Sequence, residues 1–201
     1  MLQPNYQFPG KLITFCGIDG SGKTSIIAKC KDYFLKQDKE VVLTRQPTTE
    51  FRNRPDFRAF VDGKDFSPFD FKALTLAADR LQHVNKFIIP QLQHGNIVIS
   101  DRYFYSCLAN HRAMGYTKDA WIDPIMEEFF RPDLAFFLDI PVALAVKRIR
   151  RRPTEKNRYI DVEYQEKLRH EYLYIANQFN GIVVPSETSV AQTFRHIQTY
   201  L

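Results

Sequence analysis

The residues Gly17-Ile18-Asp19-Gly20-Ser21-Gly22-Lys23-Thr24 are the stretch from which this sequence is best interpreted. They match the pattern G-x-x-x-x-G-K-[ST] at every fixed position, and a glycine-rich turn alone would not require the lysine and the threonine together. An apolar run at residues 12–16 precedes the stretch, and helical periodicity over about residues 23–37 follows it. Backbone amides at the start of such a helix surround phosphate groups. We therefore predict a nucleotide-binding loop.

Each fixed position of this loop has an expected task. Lys23 would reach the β- and γ-phosphates of a nucleoside triphosphate, and Thr24 would be a ligand of Mg²⁺, the expected cofactor. The glycines would let the backbone wrap the anion. The residues predicted to bind the nucleotide are Gly17, Ile18, Asp19, Gly20, Ser21, Gly22, Lys23, Thr24 and Ser25.

Strand and helix patterns alternate along the chain. Compact apolar runs predict strands at residues 12–16, 41–44, 97–100, 134–138 and 182–184. Helical spacing predicts helices at about residues 23–37, 71–93, 117–129, 141–151, 163–178 and 189–199, with Pro90 bending the last turn of the second. The phenylalanine-rich residues 51–69 are expected to be irregular. This alternation predicts one α/β domain over residues 1–201, a P-loop NTPase fold with a five-stranded parallel sheet and helices on both faces.

The composition limits the functional classes. The chain has 201 residues, 44% hydrophobic and 25% charged, as expected for one globular domain. No apolar run approaches the roughly 18–20 residues that span a bilayer, and the first ten residues lack a signal-peptide core. Cys16, Cys30 and Cys107 lack metal-ligand spacing and are expected to be reduced thiols. We therefore expect a cytoplasmic protein without a membrane partner.

Arginines at predicted strand ends indicate a second anionic ligand. Arg45 ends the second strand, and Arg102 follows the third, directly after Asp101. Ligands bind open parallel sheets at the carboxyl ends of the strands, where two guanidinium groups could hold a phosphate. A GTPase is disfavoured, because Asn85-Lys86-Phe87-Ile88 lacks the final aspartate of the base-reading motif N-K-x-D.

Six segments in register make the chain resemble the thymidylate kinases, P-loop enzymes that pass the γ-phosphate of ATP to thymidine monophosphate. The segments are GIDGSGKT at 17–24, TRQP at 44–47, AADR at 77–80, GNIVISDRY at 95–103, PDLAFFLDIP at 132–141, and KRIRRR with the NRY that ends at 159. The resemblance implies that ATP is the phosphate donor and a nucleoside monophosphate the acceptor.

The resemblance also implies roles on the acceptor side. Arg45 and Arg102 correspond to the arginines that hold the acceptor phosphate, and Arg80 corresponds to the one that reads the base. Asp19 corresponds to a carboxylate that approaches the acceptor sugar, and Asp101 lies where a carboxylate can orient Arg102 or a metal-bound water. Either carboxylate could instead stabilise its own turn.

Residues 148–160 resemble the mobile lid that covers ATP in this family. An arginine stabilises the charge that develops on the transferred phosphoryl group, and because Gly20 occupies the loop here, the lid must supply that arginine. The alternative is a solvated basic helix end favoured by the helix dipole. The predicted catalytic residues are Lys23, Asp19, Arg102, Arg150, Arg152 and Arg158.

Departures from the common family pattern cluster on the acceptor side. Cys16 replaces a frequent acidic residue, Gln46 replaces a glutamate, and Thr48-Thr49 replaces a pair of glycines. Leu76, which we place in the acceptor site, occupies the position of a phenylalanine that stacks on thymine, and Asn110 replaces an aromatic residue. The phosphate-binding residues and Arg80 are kept, whereas other positions that contribute to base recognition in the family are altered.

Three functional hypotheses remain at this point. The first is transfer of phosphate to dTMP, or to another pyrimidine or modified nucleoside monophosphate. The second is a nucleotide-binding regulator that has lost its acceptor. Nucleic-acid binding through residues 147–152 is the third, and it is disfavoured because that segment lacks interleaved aromatic residues. Family members are commonly dimers, so the resemblance implies a homodimer.

Overall fold

A computed structural model describes residues 7–61, 69–116 and 122–201 of the chain. Five parallel strands form one sheet in the order β2-β3-β1-β4-β5, which confirms the predicted fold class. The strands are β1 (Lys11–Cys16), β2 (Val41–Arg45), β3 (Ile97–Asp101), β4 (Leu134–Asp139) and β5 (Ile182–Pro185). The strands that directly follow β1 in the chain, β2 and β3, lie on one side of β1, and β4 and β5 lie on the other. Ligands bind open parallel sheets where the strand order reverses in this way, so the ligand-binding edge lies at the carboxyl end of β1.

Helices connect the strands. Those within the described residues are α1 (Lys23–Leu35), α2 (Thr49–Arg52), α3 (Pro55–Val61), α4 (Phe69–His83), α5 (Ile89–Gln93), α6 (Phe104–Ala113), α7 (Ile122–Glu127), α8 (Val142–Arg150), α9 (Val162–Gln178) and α10 (Val190–Gln198). A π-helical turn, Val84–Ile88, joins α4 to α5, and a short 3₁₀ turn, Pro153–Glu155, lies in the lid segment.

The core has two apolar layers, one on each face of the sheet. Along β1, Ile13 and Phe15 pack in the layer that α1 and α10 cover, while Leu12 and Cys16 pack in the layer beneath α6 and α9. This alternation follows from the two-residue period of a strand. It confirms the prediction of helices on both faces. No helix among the described residues is long and apolar enough to cross a membrane.

The predicted single helix at 71–93 was wrong in two respects. The helix begins at Phe69, and its irregularity is the π-helical turn Val84–Ile88 rather than a bend in the last turn. Pro90 supplies the physical reason, because its ring would clash with the carbonyl of Lys86 in a regular α-helix and it has no N–H to donate. The wider turn, in which the N–H of Ile89 bonds to the Val84 carbonyl, separates these groups.

The prediction of an irregular segment at 51–69 was also wrong where the structure describes it. Helices α2 and α3 occupy most of residues 49–61, and residues 62–68 lie outside the described residues. The Thr48 hydroxyl caps α2 by accepting a hydrogen bond from the N–H of Phe51 at 3.1 Å. This cap was a usable signal in the sequence, but the short spacing to Pro55 obscured the helix.

No pattern in the sequence predicts α6. Nearly every residue of this helix is buried, so it shows no alternation between an apolar and a polar face. Of the helix predicted at 117–129, the structure shows Ile122–Glu127, and residues 117–121 lie outside the described residues.

Candidate functional site

The loop after β1 has a conformation that only glycine accommodates well at two positions. Gly17 has φ 136° and Gly20 has φ 85°, both in the region that L side chains rarely adopt. A Cβ atom would lie 2.5 Å from the Leu138 carbonyl oxygen at Gly17, and 2.6 Å from the Ala145 carbonyl oxygen at Gly20. The loop is therefore packed directly against β4 and α8, and its backbone is held in a wrapped shape before α1 begins at Lys23.

Lys23 folds back over this loop. Its side chain is buried, and its Nζ donates hydrogen bonds to the carbonyl oxygens of Gly17 at 3.0 Å and Ile18 at 2.9 Å. Burial and the positive charge of Arg102 lower the pKa of Lys23 to about 8. An anion bound in the loop would favour the charged ammonium and would supply the counter-charge that two carbonyl oxygens cannot.

Asp19 joins the loop to two other elements. Its Oδ1 accepts a hydrogen bond from Arg102 Nη2 at 2.6 Å, and its Oδ2 accepts one from Arg158 Nη2 at 3.1 Å. Burial alone would raise the pKa of Asp19, but Arg102, Lys23 and Arg158 together hold it well below its usual value. The carboxylate is thus ionised where the loop, the end of β3 and the lid segment meet.

Arg102 has a left-handed backbone, φ 73°, directly after β3. Its Nη1 donates to the Gly17 carbonyl oxygen at 3.1 Å and to the Tyr172 hydroxyl at 2.7 Å. Burial alone would lower the pKa of Arg102, but Tyr172, Asp19 and Asp101 raise it above its usual value. The guanidinium group is therefore fixed from three sides beside the loop.

Tyr172 is a site residue that no sequence motif indicates. This residue lies on the buried face of α9, where its spacing is typical of a core residue. Its hydroxyl donates to Ser106 Oγ at 3.0 Å, and Ser106 Oγ donates to Cys16 Sγ at 3.7 Å. A chain of two hydroxyl groups and a thiol therefore runs from Arg102 through Tyr172 and Ser106 to Cys16, the position that is frequently acidic in the family pattern.

A cleft with a volume of about 340 Å³ opens from Asp19 and Arg102 toward α4. Of the predicted acceptor-side residues, Asp19, Leu76, Arg80 and Arg102 line it, and Arg158 of the lid segment does so as well. The full lining is Asp19, Pro47, Arg52, Phe57, Ala73, Leu76, Arg80, Arg102, Ser106, Cys107, Asn110, Met114, Arg158, Tyr164, Gln165 and Leu168.

Arg80 is buried in the wall of the cleft that α4 provides. Its Nη1 donates to the Leu76 carbonyl oxygen at 2.9 Å, and its Nε has no hydrogen-bond partner in the described part of the chain. Gln46 lies beneath it, with Nε2 at 3.4 Å from the Arg80 carbonyl oxygen and 3.2 Å from His83 Nδ1. Gln46 is neutral, so position 46 does not supply a carboxylate that could pair with the Arg80 guanidinium group. The guanidinium group keeps hydrogen-bonding capacity for a ligand.

Another part of the cleft wall is polar at Asn110. The Asn110 Oδ1 accepts a hydrogen bond from the Tyr164 hydroxyl at 2.7 Å, and its Nδ2 donates to the Ser106 carbonyl oxygen at 2.6 Å. Both Asn110 and Tyr164 line the cleft. Tyr164, on α9, was missed by sequence analysis, and it brings an aromatic ring to the wall where Asn110 replaces one.

Two predicted residues lie beside the cleft without lining it. The side chain of Arg45 is exposed at the end of β2. Asp101 ends β3, and its Oδ1 is buried without a hydrogen-bond partner among the described residues.

The lid arginines differ in what they contact. Arg158 reaches Asp19, whereas Arg150 Nη1 donates to the Lys156 carbonyl oxygen at 2.6 Å, within the lid segment. Arg152 is exposed, directly before the 3₁₀ turn. Of these three predicted catalytic residues, only Arg158 is joined to the phosphate loop in the structure.

The loop and β3 offer oxygen atoms that suit Mg²⁺. Thr24 and Ser25 are exposed at the first turn of α1, and Asp101 Oδ1 lacks a partner among the described residues. No group of three or more His, Cys, Asp or Glu residues within 7–61, 69–116 and 122–201 could hold a metal alone. Mg²⁺ usually binds through one or two protein oxygens together with substrate phosphates and water, so these residues fit it.

Comparison with known proteins agrees with this geometry. The family model described as thymidylate kinase matches residues 15–197. A probable thymidylate kinase of Pyrococcus horikoshii is 40% identical over 175 residues, which cover 85% of this chain and 84% of that protein. A probable thymidylate kinase of Pyrococcus abyssi is 37% identical over 194 residues, with 94% of both chains covered, and one of Staphylothermus marinus is 31% identical over 189 residues, with 94% and 93% covered.

Proposed function

This chain belongs to the thymidylate kinase family, and from that premise we propose that it transfers the γ-phosphate of ATP to dTMP, giving dTDP and ADP. It is an ATP-dependent nucleoside monophosphate kinase, a transferase of that family. The observation that carries the proposal is the junction at Asp19, where the phosphate loop, Arg102 and Arg158 meet at one end of the acceptor cleft.

The donor site in this proposal is the loop at residues 17–25. Its amides and the Lys23 ammonium hold the triphosphate of ATP, with Lys23 turning from the carbonyl oxygens of Gly17 and Ile18 to the β- and γ-phosphates. Thr24 would hold Mg²⁺, and Asp101 would do so through a water molecule. When bound, Mg²⁺ neutralises charge on the phosphate oxygens.

The acceptor site is the cleft between the loop and α4. Arg80 recognises the base beside Leu76, Asp19 approaches the sugar, and Arg45 and Arg102 hold the acceptor phosphate. An oxygen of that phosphate attacks the γ-phosphorus in line, the bond to the oxygen bridging the β- and γ-phosphates breaks, and ADP leaves. Positioning and charge neutralisation supply most of the rate, because this reaction needs little acid–base chemistry.

Lid closure completes the site. Arg158 stabilises the transferred phosphoryl group, and Arg150 and Arg152 are further candidates for this role. Closure also excludes water, which would otherwise accept the phosphoryl group. The existing contact between Arg158 and Asp19 supports this assignment, because it already places a lid guanidinium beside the phosphate loop.

We also propose that the enzyme works in the cytoplasm as a homodimer. The three cysteines are free and buried, which is compatible with a reducing compartment. The homodimer follows from what is common in the family. Sedimentation velocity at micromolar protein concentrations would test it, since a species of one chain's mass contradicts the dimer.

The test of the function is ADP release from ATP and Mg²⁺ with a panel of pyrimidine nucleoside monophosphates. We expect dTMP to be the preferred acceptor. Lys23→Ala and Arg102→Ala should each lower turnover by orders of magnitude while circular dichroism stays unchanged. Lys29→Ala is the matched control, because Lys29 is exposed on α1. Preference for another monophosphate, or ATP binding without turnover, would contradict the proposal.

A further inference from the structure

Besides Arg80, Arg102 and Arg158, a fourth guanidinium group lines the acceptor cleft, and the sequence motifs do not predict it. Arg52 is the last residue of α2, and its side chain is half-buried. Its Nε donates to the Pro47 carbonyl oxygen at 3.2 Å, which ties one edge of the group to the segment after β2. In the described part of the chain no carboxylate forms an ion pair with it, so both terminal nitrogens can donate to a ligand.

The charges around Arg52 favour an anion. Burial, together with the positive charges of Arg45 and Arg102, lowers the pKa of Arg52 to about 10, so the group is still charged at neutral pH. Asp19 and Asp101 offset part of this repulsion. Asp19, however, already accepts hydrogen bonds from Arg102 and Arg158. The cluster of arginines is therefore left with more positive than negative charge at the point where the cleft meets the phosphate loop.

We propose that Arg52 binds the phosphate group of the monophosphate acceptor together with Arg102, an inference that rests on the proposed kinase function. Arg52 and Arg102 line the same cleft as Leu76 and Arg80, where the nucleoside is placed. Two guanidinium groups from different elements can hold a phosphate by paired hydrogen bonds. Arg52 would act together with Arg45 as well, whose exposed side chain lies beside the cleft at the end of β2.

The test compares Arg52→Gln with Arg54→Gln in binding dTMP and thymidine by calorimetry. Arg54 is a matched control, because its exposed guanidinium group pairs with Asp56. We expect Arg52→Gln to weaken dTMP binding by about 10- to 100-fold, as for loss of a hydrogen bond between charged groups, and to change thymidine binding by less than about twofold. The KM for dTMP should rise similarly, whereas the KM for ATP should stay near that of the wild type.

Several outcomes overturn the assignment. Unchanged dTMP binding in Arg52→Gln does so while leaving the kinase function intact, provided that the wild-type chain phosphorylates dTMP. An equal loss of thymidine binding would show that Arg52 only shapes the cleft. If the wild-type chain does not phosphorylate dTMP, the proposed function fails. The assignment of Arg52 is then decided by measuring how tightly inorganic phosphate binds when ADP occupies the donor site. Equal affinity of the wild type and Arg52→Gln for phosphate refutes the assignment.

Discussion

At the scale of single residues, the position of the Arg102 guanidinium group depends on the hydroxyl group of Tyr172, a residue that lies outside the sequence motifs. The Tyr172 hydroxyl accepts a hydrogen bond from Arg102 at 2.7 Å and donates one to Ser106 Oγ. We expect Tyr172→Phe to keep the packing of α9 but to lower kcat/KM for dTMP by about 10-fold or more, because a hydrogen bond to a charged group is lost. The KM for ATP should hardly change. Steady-state kinetics with both substrates measures this split.

Tyr174→Phe is the control for this substitution. Tyr174 lies on the same helix, and its ring, over which the Arg112 guanidinium lies at 4.4 Å, is kept in phenylalanine. Its kinetics should match the wild type. If Tyr172→Phe also matches the wild type, the hydroxyl does not position Arg102. If Tyr172→Phe weakens the binding of ATP and of dTMP equally, the hydroxyl group acts on the fold and not on the binding of the acceptor phosphate.

Lys23 is expected to make ATP capture depend on pH. With its pKa lowered to about 8, the free enzyme loses the ammonium charge above that pH. Bound phosphates favour the charged form and raise the pKa again. We therefore expect kcat/KM for ATP to fall above about pH 8 while kcat stays level to higher pH, because the two constants report the free and the bound enzyme. A kcat/KM that is flat to pH 10 would contradict this.

The same group should alter stability in a defined direction. The pKa of Lys23 falls from 10.5 to about 8 on folding, so between these values the unfolded chain holds the proton that the folded chain releases. The contribution of Lys23 to the free energy of unfolding therefore rises with pH across this window. Chemical denaturation of the wild type and Lys23→Met from pH 7.5 to 10.5 measures it. As the pH rises, the free energy of unfolding of the wild type should increase relative to that of Lys23→Met. A difference between the two proteins that does not change with pH would contradict the lowered pKa of Lys23.

At the scale of elements, the lid segment distinguishes its arginines by their contacts. Arg158 bonds to Asp19, Arg150 bonds within the segment, and Arg152 is exposed. We expect turnover to fall most in Arg158→Ala, by about 10²- to 10³-fold, as for loss of a group that stabilises transition-state charge. Turnover should fall least in Arg152→Ala. Single-turnover kinetics with saturating ATP and dTMP measures the order, and a larger loss in Arg152→Ala would reverse the assignment.

What the sequence predicts also differs between elements. The unit of β1, loop and α1 is predictable, because its strand is a compact apolar run and its glycines are required by left-handed backbone and close approach. Helix α6 is not, because burial on all sides removes its periodicity. Arg52 was missed for a different reason. Its place in the cleft depends on how α2 turns back after β2, and no local pattern records that tertiary contact.

At the scale of the whole molecule, the acceptor cleft joins parts that are distant in the chain. Its lining combines the loop after β1 and the segment after β2 with α4, α6, the lid segment and α9. A ligand that binds only when these parts are assembled stabilises the folded state by an amount set by its concentration relative to Kd. The acceptor should therefore raise the melting temperature of the entire domain and not loosen or tighten one element alone.

We expect dTMP at about 100 times its Kd to stabilise the protein by about 2.7 kcal/mol, which for a domain of this size is a rise of about 5–10 °C in Tm. Scanning calorimetry measures the shift as one cooperative transition. Thymidine at the same concentration should raise Tm less, because it lacks the phosphate that the arginines hold. Equal shifts for dTMP and thymidine would mean that the cationic end of the cleft does not bind the acceptor, and that Arg80 and Leu76 provide nearly all of its affinity.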